Sequence, residues 1–340
     1  MLLVLATEAT NGYFFVVGRL PGLGMVAFRC VLYVAVPGFF ILSGYLAGLK
    51  LRRPLEPRRF LAGRARRLLV PLYLWNLIYI LYFRLLEGVP IFTLENLRFL
   101  LTGYIHLYFL FSLFQLQALY AWLKPYLDRH LDRVLVLSLA LSLGTYLLLD
   151  LLVWQRVWVS HMVEWNVMRC FLPWAFFFAL GLRLGSSPGL VERLVRLRHL
   201  LLLLALMSFA LFVVEMLRSG RLLGLFPRGY FLLGGFFYQS FAALFIMAAL
   251  KRLLDRGREP SALLRYLVRS GRDTFAIYNA NLLARSALVA LGLKYLRPYP
   301  FWYVLLATAL TWLVVQAALA GMRKARLTGL LRALFGEGSR

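Results

Sequence analysis

An arginine cluster gives the chain its most concentrated means of holding an anion. The segment RRFLAGRARRLLVP carries five arginines: Arg58, Arg59, Arg64, Arg66 and Arg67. Arg64 and Arg67 are three residues apart, so they share one face of the helix predicted to begin after Pro57. Two guanidinium groups on one face can clamp a phosphate or pyrophosphate bidentately, which lysines do less well. A basic loop that only marks the cytoplasmic face of a membrane would need the same charges, and the spacing leaves both interpretations open.

Glu8 is an ionisable residue near the middle of the first apolar segment. A charged side chain at mid-depth in a bilayer costs at least ~2.5 kcal/mol, so its presence there needs a reason. Thr7, Thr10 and Asn11 surround it with hydrogen-bonding groups, which indicates a helix face toward the bundle interior or a water-filled cavity. A structural and a functional role remain equally open for this carboxylate.

Two further polar stripes occur in apolar segments. His106 opens HLYFLFSLFQLQ, and Tyr108 and Gln115 follow on adjacent turns. Tyr278, Asn281 and Arg285 recur at helical spacing in a late segment where Asp273 and Thr274 are predicted helix caps. An interfacial or interhelical hydrogen-bonding role is the alternative for each stripe, because polar groups in a bilayer must face protein or a cavity.

Other ionisable residues fall in or beside the apolar segments, and we expect most of them to be structural. They are Arg29, Arg84, Asp150, Glu164, Arg169 and Glu215. Several lie near the ends of spans, where snorkelling or an ion pair satisfies them. The two cysteines, Cys30 and Cys170, are predicted to be free thiols, and no metal site is predicted.

The elements that must position these residues are membrane helices. Hydrophobic residues make up 62% of the chain and the mean hydropathy is +0.75, which is too apolar for a single soluble core. The net charge of +25 does not indicate nucleic-acid binding, because the basic residues are distributed between apolar segments rather than gathered on one soluble face. We therefore predict an all-α polytopic transmembrane bundle in contact with the lipid bilayer and with no nucleic-acid partner.

Reading the chain in lengths of about 20 apolar residues predicts ten spans. They lie near 2–18, 25–49, 68–86, 103–123, 134–153, 165–185, 199–217, 229–250, 273–293 and 301–321. The segments 50–67, 124–133, 183–198, 251–272 and 323–340 hold 27 of the 39 Lys and Arg residues, and the positive-inside rule makes them cytoplasmic. Both termini are then cytoplasmic, with one transmembrane domain over 1–322 and a basic cytoplasmic tail over 323–340.

The second predicted span ends in VPGFFILSGYLAG, from Val36 to Gly48. Ser43 and Gly44 interrupt its bulky apolar side chains with a small polar notch. Another helix, or a ligand, can approach the backbone at such a notch. The arginine cluster follows within twenty residues.

Four segments, in this order, resemble the integral-membrane acyltransferase-3 family, in the branch of O-acetyltransferases and intercellular-adhesin modifying proteins. VPGFFILSGYLAG is similar to the family's VPLFFxxSGYLL, and RRFLAGRARRLLVPLYLW to its RR…R…P entry to the third helix. HLYFL at His106 is similar to its HLWFL, and DTFAIYNANLL to its SFGIYLxHxL.

The resemblance implies transfer of an acyl group, usually acetyl from cytoplasmic acetyl-CoA, to a hydroxyl of a cell-envelope glycan or related acceptor. It implies donor binding by Arg59, Arg64, Arg67 and Ser43, and catalytic roles for Glu8 and His106. Tyr108, Tyr278, Asn281 and Arg285 would then line the acceptor side or the pocket. Acyl-CoA would be a co-substrate rather than a permanently bound cofactor, and the location would be a bacterial plasma or inner membrane.

The chain departs from the family's pattern at two positions. The family places a histidine in the first helix, with a basic residue about ten positions before it. Here Glu8 or a neighbour occupies the histidine position, and the basic position would precede Met1. The histidine usual in the ninth helix is replaced by Asn281. A family member that binds or transports an envelope glycan or lipid-linked sugar without acylating it is therefore the alternative, and a purely structural membrane partner is a third.

Overall fold

The computed structural model describes residues 1–17, 22–51, 53–87, 93–154, 166–223, 231–255, 265–266, 271–296 and 298–336. These residues are predominantly helical and include no strand, which confirms the all-α fold. The α-helices in chain order are α1 (Leu2–Val17), α2 (Leu23–Leu32), α3 (Ala35–Gly48), α4 (Pro57–Glu87), α5 (Leu94–Thr102), α6 (Tyr108–Trp154), α7 (Ala175–Ser186), α8 (Pro188–Arg196), α9 (Arg198–Leu223), α10 (Leu233–Asp255), α11 (Thr274–Ala290), α12 (Pro300–Lys324) and α13 (Thr328–Phe335). Glu164 lies outside the described residues.

Six described segments are long and apolar enough to cross a membrane: Leu23–Gly48, Pro57–Leu85, Tyr108–Leu152, Arg198–Ser219, Leu233–Asp255 and Pro300–Lys324. The pair Leu172–Ser186 and Pro188–Arg196, bent by 104°, makes a seventh if it is one span. The protein is therefore a multi-pass membrane protein. Each of the ten predicted spans overlaps a described helix, but their number and the side of the termini stay predictions.

Helix α6 is longer than one crossing requires. Its 47 residues extend roughly 70 Å, more than twice the ~30 Å hydrocarbon thickness. His130 interrupts it with non-helical angles of φ −132° and ψ 33°. This break lies inside 124–133, where we predicted a loop between two spans. The structure shows a helix with a local break instead, because only one residue leaves helical geometry.

The chain divides into two compact units. The first contains Met1–Val17, Glu56–Ala121 and Ala262–Arg340, and the second contains Gly18–Leu55 and Trp122–Ser261. Both thiols are free: Cys30 is buried and Cys170 is half-buried.

In the second unit, α3 and α7 pack backbone to backbone through glycines. A Cβ on Gly44 would lie 2.1 Å from the Phe178 carbonyl oxygen, and one on Gly181 would lie 2.0 Å from that of Ile41. Gly48 and Gly185 make the same close approach one turn further on, so the two helices run parallel. The Gly44 notch therefore accommodates a helix. The parallel order agrees with the predicted topology, in which both helices run toward the cytoplasmic face.

The same unit contains the antiparallel hairpin of α9 and α10. The Glu215 carboxylate near the end of α9 accepts a hydrogen bond of 2.8 Å from the Gly234 amide at the start of α10. Glu215 thus satisfies a free N–H of a helix start, which is a structural role as expected. Arg29, Asp150 and Arg169 are buried in this unit too.

In the first unit, α13 folds back onto α4. The Trp75 indole donates to the Leu334 carbonyl at 2.9 Å, and Leu331 and Phe335 are buried. Gly336 ends α13 with φ +62°, and a Cβ there would lie 2.9 Å from the Arg67 carbonyl oxygen. Glycine fits because a side chain would be strained in that conformation and crowded by Arg67. Part of the predicted tail is therefore a packed helix.

The predicted cap at the start of α11 is partly wrong. Asp273 occupies the N-cap position but makes no capping hydrogen bond with its side chain. Its carboxylate instead accepts a 2.5 Å hydrogen bond from Arg323 at the end of α12. The tertiary ion pair takes precedence over the local cap because a guanidinium is the stronger donor for a carboxylate.

Candidate functional site

His106 and Tyr278 hold each other by reciprocal hydrogen bonds in the first unit. The His106 Nε2 lies 3.0 Å from the Tyr278 carbonyl oxygen, and the Tyr278 hydroxyl donates to the His106 carbonyl. Their rings meet edge to face with centroids 5.1 Å apart. Both side chains are buried, so the imidazole has a fixed position at the junction of α11 and the turn before α6.

The sequence before His106 explains how the histidine enters the interior. Gly103 ends α5 with φ +104°, a conformation that favours glycine, and a 3₁₀ turn over Ile105–Leu107 follows. The buried Asn76 on α4 fixes the start of this turn, since its Oδ1 accepts from the Tyr104 amide at 2.8 Å. Its Nδ2 donates to the Leu100 carbonyl at 2.9 Å. The Asn76 amide therefore joins the end of α5 to the start of the turn that carries His106.

Tyr79 forms a further wall of this site. It is completely buried on α4, and its hydroxyl donates to the Asn279 carbonyl on α11. Its ring meets the His106 ring edge to face at 5.6 Å and stacks near Tyr104 at 6.2 Å. The imidazole is thus enclosed by the aromatic rings of Tyr79 and Tyr278.

The hydrogen bond to Tyr278 fixes the tautomer of a neutral His106. A carbonyl oxygen can only accept, so Nε2 carries the proton and Nδ1 carries the lone pair. Within the described part of the chain, Nδ1 has no hydrogen-bond partner although it is buried. An unpartnered basic nitrogen in an aromatic enclosure can accept a proton from a bound hydroxyl group.

Two buried asparagines of α11 follow Tyr278 and have unused polar atoms. Asn281 Nδ2 donates at 2.6 Å to the same Tyr278 carbonyl that His106 contacts, and its Oδ1 has no partner among the described residues. Asn279 is completely buried, and neither its Oδ1 nor its Nδ2 has a partner there. Buried amides are nearly always hydrogen-bonded, so an unsatisfied one is a candidate for contact with a ligand.

Glu8 belongs to the same unit, but its surroundings differ from our expectation. The Thr7 hydroxyl bonds to the Leu3 carbonyl at 2.8 Å and the Thr10 hydroxyl to the Ala6 carbonyl at 2.6 Å, each four residues back in α1. These hydroxyls satisfy their own helix instead of the Glu8 carboxylate. Arg285 donates to the main-chain carbonyl of Glu8 and so joins α11 to α1.

The first unit therefore contains all six of the predicted catalytic and pocket residues. The described contacts join His106, Tyr278 and Asn281 directly, and join Arg285 to the backbone of Glu8. Tyr108 is buried at the first residue of α6. The roles assigned to these residues stay predictions.

Sequence reasoning missed Tyr79, Asn279 and Asn76. Asn76 and Tyr79 are three residues apart in the apolar middle of α4, and that spacing was the available signal. Asn279 stands where the family pattern quoted above has leucine, which was the signal for that residue.

The predicted donor-binding arginines lie on the first turns of α4. Arg64 lies over the Phe60 ring at 5.0 Å, and Phe60 packs edge-on against Tyr120 at 5.9 Å. Arg59 and Arg67 are exposed. Arg64 and Arg67 are close enough to repel each other electrostatically, and the described residues offer neither of them an ion pair. A phosphate between them would relieve that repulsion.

Backbone packing beside Arg67 shapes the same surface. Pro71 has no N–H to donate to the Arg67 carbonyl four residues earlier. Gly336 of the C-terminal segment approaches that carbonyl, so α13 borders the arginine cluster. Ser43, the fourth predicted donor residue, lies half-buried on α3 in the second unit, and its role stays a prediction.

The sequence model of one known family, described as an acyltransferase domain, matches residues 1–319. This match includes the arginine cluster, the His106 site and the α11 asparagines. Searches of curated proteins and of solved structures returned no significant match.

Proposed function

Because the chain belongs to the acyltransferase-3 family, we propose that it is a membrane-bound O-acyltransferase. The acyl group, acetyl in the simplest case, would pass from a cytoplasmic acyl-CoA to a hydroxyl of a cell-envelope glycan or a lipid-linked saccharide. The observation that carries this proposal is the unpartnered Nδ1 of His106, held in place by Tyr278.

His106 would act as the general base. Its Nδ1 would take the proton of the acceptor hydroxyl as the hydroxyl oxygen attacks the thioester carbonyl carbon. The C–S bond then breaks, CoA leaves as the thiolate, and the proton passes to it or to water. Positioned general bases contribute roughly 10²–10⁴-fold to such a step. The fixed ring supports His106 over Glu8 as the base.

Asn279 would stabilise the charge that develops on the carbonyl oxygen. Its Nδ2 is an unused donor on the helix whose backbone binds His106 and Tyr79. A preorganised donor of this kind in a site without water is worth far more than one in solution. Asn281, whose Oδ1 is also unused, supplies an acceptor for a second substrate hydroxyl.

Arg64 and Arg67 would bind the phosphates of CoA, with Arg59 on the adjoining face of α4. Their mutual repulsion and the lack of a described ion pair support a polyanionic ligand. Arg66, which lies on the helix face away from Arg64, provides a matched control for total charge.

The test of donor binding is acetyl-CoA turnover by purified protein. The change Arg64→Ala plus Arg67→Ala is expected to raise the KM for acetyl-CoA by about tenfold or more, since each charge-assisted contact is worth ~1.5–3 kcal/mol. Arg58→Ala plus Arg66→Ala removes the same charge from the same helix and should change the KM less than threefold. Equal effects of the two pairs would reject a specific phosphate site.

The test of the base is His106→Gln in the same assay. It should lower kcat by roughly 10²–10⁴-fold at an unchanged KM for acetyl-CoA. Turnover that survives His106→Gln would reject the histidine as base. Movement of a saccharide across vesicles without any acyl donor would instead support the non-catalytic transport alternative.

A further inference from the structure

A groove lies at one end of the α9–α10 hairpin, in the second unit and separate from the His106 site. α9 begins at Arg198 and α10 ends at Asp255, so these two helix ends lie side by side. The groove has a volume of about 400 Å³. Arg198, His199 and Arg252 contribute its polar groups, and Leu202, Phe245 and Leu253 its apolar walls.

The polar end of the groove is cationic. Arg198 uses one guanidinium N–H on the Val195 carbonyl at 3.0 Å, out of five that the group carries. The neighbouring carboxylate of Asp255 is paired with Lys251, four residues back on α10. Two arginines and a histidine therefore line one groove, a set of residues that suits a phosphate.

The apolar walls of the groove adjoin exposed apolar side chains on the same two helices. Leu200, Leu203, Leu250 and Leu254, which flank the groove on both helices, are exposed large side chains. The helices that carry them are apolar enough to span a membrane. Arg198 and Arg252 belong to the loops that the positive-inside pattern predicts to be cytoplasmic. A ligand here would have its charged group at the membrane face and its hydrocarbon chain beside the helices.

We propose that this groove binds a membrane lipid with an anionic phosphate headgroup. The arginines would hold the phosphate, and Leu202, Phe245 and Leu253 would contact the first part of the acyl chain. Basic pockets between membrane helices on the cytoplasmic side recognise such headgroups. The proposal does not depend on the acyltransferase reaction, because none of its residues belongs to the His106 site or to the α4 arginine cluster.

The experiment reconstitutes the protein in bilayers of equal phosphatidylcholine and phosphatidylglycerol. Lipids retained after mild detergent extraction are then counted by native mass spectrometry. Phosphatidylglycerol should be retained over phosphatidylcholine by about fivefold or more, which is the effect of one arginine near a charged headgroup. Equal retention of the two lipids by the unmodified protein would overturn the proposal without reference to any variant.

Variants and a competitor locate the site. Arg198→Gln plus Arg252→Gln should abolish the preference, whereas Arg193→Gln plus Arg196→Gln, which removes two exposed charges of nearby α8, should leave it within twofold. Equal loss in both pairs would mean that general surface charge attracts the lipid, and the groove would be rejected. Soluble glycerol phosphate should not displace the lipid. Displacement would show that the hydrocarbon chain is not recognised and would overturn the proposal as well.

Discussion

The Asn279 amide lowers the stability of the fold and is a candidate contact for the substrate. It is a completely buried amide, and its two polar atoms have no partner in the described part of the chain. Leucine is close in size, so Asn279→Leu should raise the free energy of unfolding by about 1–3 kcal/mol by removing an unsatisfied amide. If the amide contacts the acyl carbonyl, the same change should lower kcat by roughly 10²–10³-fold. Thermal unfolding and acetyl-CoA turnover measure the two effects.

Asn76 is the matched control for this change. It is as buried as Asn279, but both of its amide atoms are hydrogen-bonded, one to Leu100 in α5 and one to Tyr104 at the start of the turn that carries His106. Asn76→Leu should therefore lower stability, because it leaves the Leu100 carbonyl and the Tyr104 amide unpaired. Loss of stability in both variants would contradict the idea that the Asn279 amide is unused by the fold.

The contact between α3 and α7 is the element whose packing tolerates least change. A methyl group on Gly44 would lie 2.1 Å from a backbone oxygen of α7, and backbone cannot move aside as a side chain can. Gly44→Ala should lower the free energy of unfolding by at least ~1–3 kcal/mol. Gly38→Ala, on the same helix with nothing within 4 Å of the added Cβ, should be neutral or stabilise by about 0.5–1 kcal/mol. Thermal unfolding in detergent that ranks the two variants equally would contradict this packing.

The elements show how far the sequence could predict the structure. Apolar segment length was enough to place every predicted span on a helix, since burial in lipid depends on local composition. The sequence did not predict which helix contacts Gly44. The close approach also requires Gly181 and Gly185, which lie far along the chain. The roles of Asp273, Thr7 and Thr10 were predicted from their sequence neighbours alone, and a tertiary bond to Asp273 and intrahelical bonds from Thr7 and Thr10 replaced all three.

The candidate site was predictable in its residue types and not in its geometry. Polar residues in apolar helices are costly, which singled out His106, Tyr278 and Asn281. Their convergence on the Tyr278 carbonyl depends on the turn that Gly103 and Asn76 create. A tyrosine such as Tyr79 is common at membrane helices, so its burial against His106 could only be seen in the fold.

At the scale of the whole molecule, the break at His130 determines how often the chain crosses the membrane. If α6 crosses twice, the region around His130 is at the cytoplasmic face, while α5 is at the opposite face. If α6 crosses once through its middle, position 133 lies within the bilayer. Arg133 and Leu97 are both exposed and lie outside the His106 site, so each can be changed to cysteine. Cys30→Ala plus Cys170→Ala provides a background without other thiols.

In sealed inside-out and right-side-out vesicles, a membrane-impermeant maleimide reports which face each position occupies. Arg133→Cys should react only from the cytoplasmic side and Leu97→Cys only from the other side. This follows because the positive-inside pattern places 124–133 in the cytoplasm and because two helical segments of α6 are each long enough to span about 30 Å. Protection of position 133 from both sides, with normal labelling at position 97, would establish a single crossing and reverse the predicted orientation of every helix after α6.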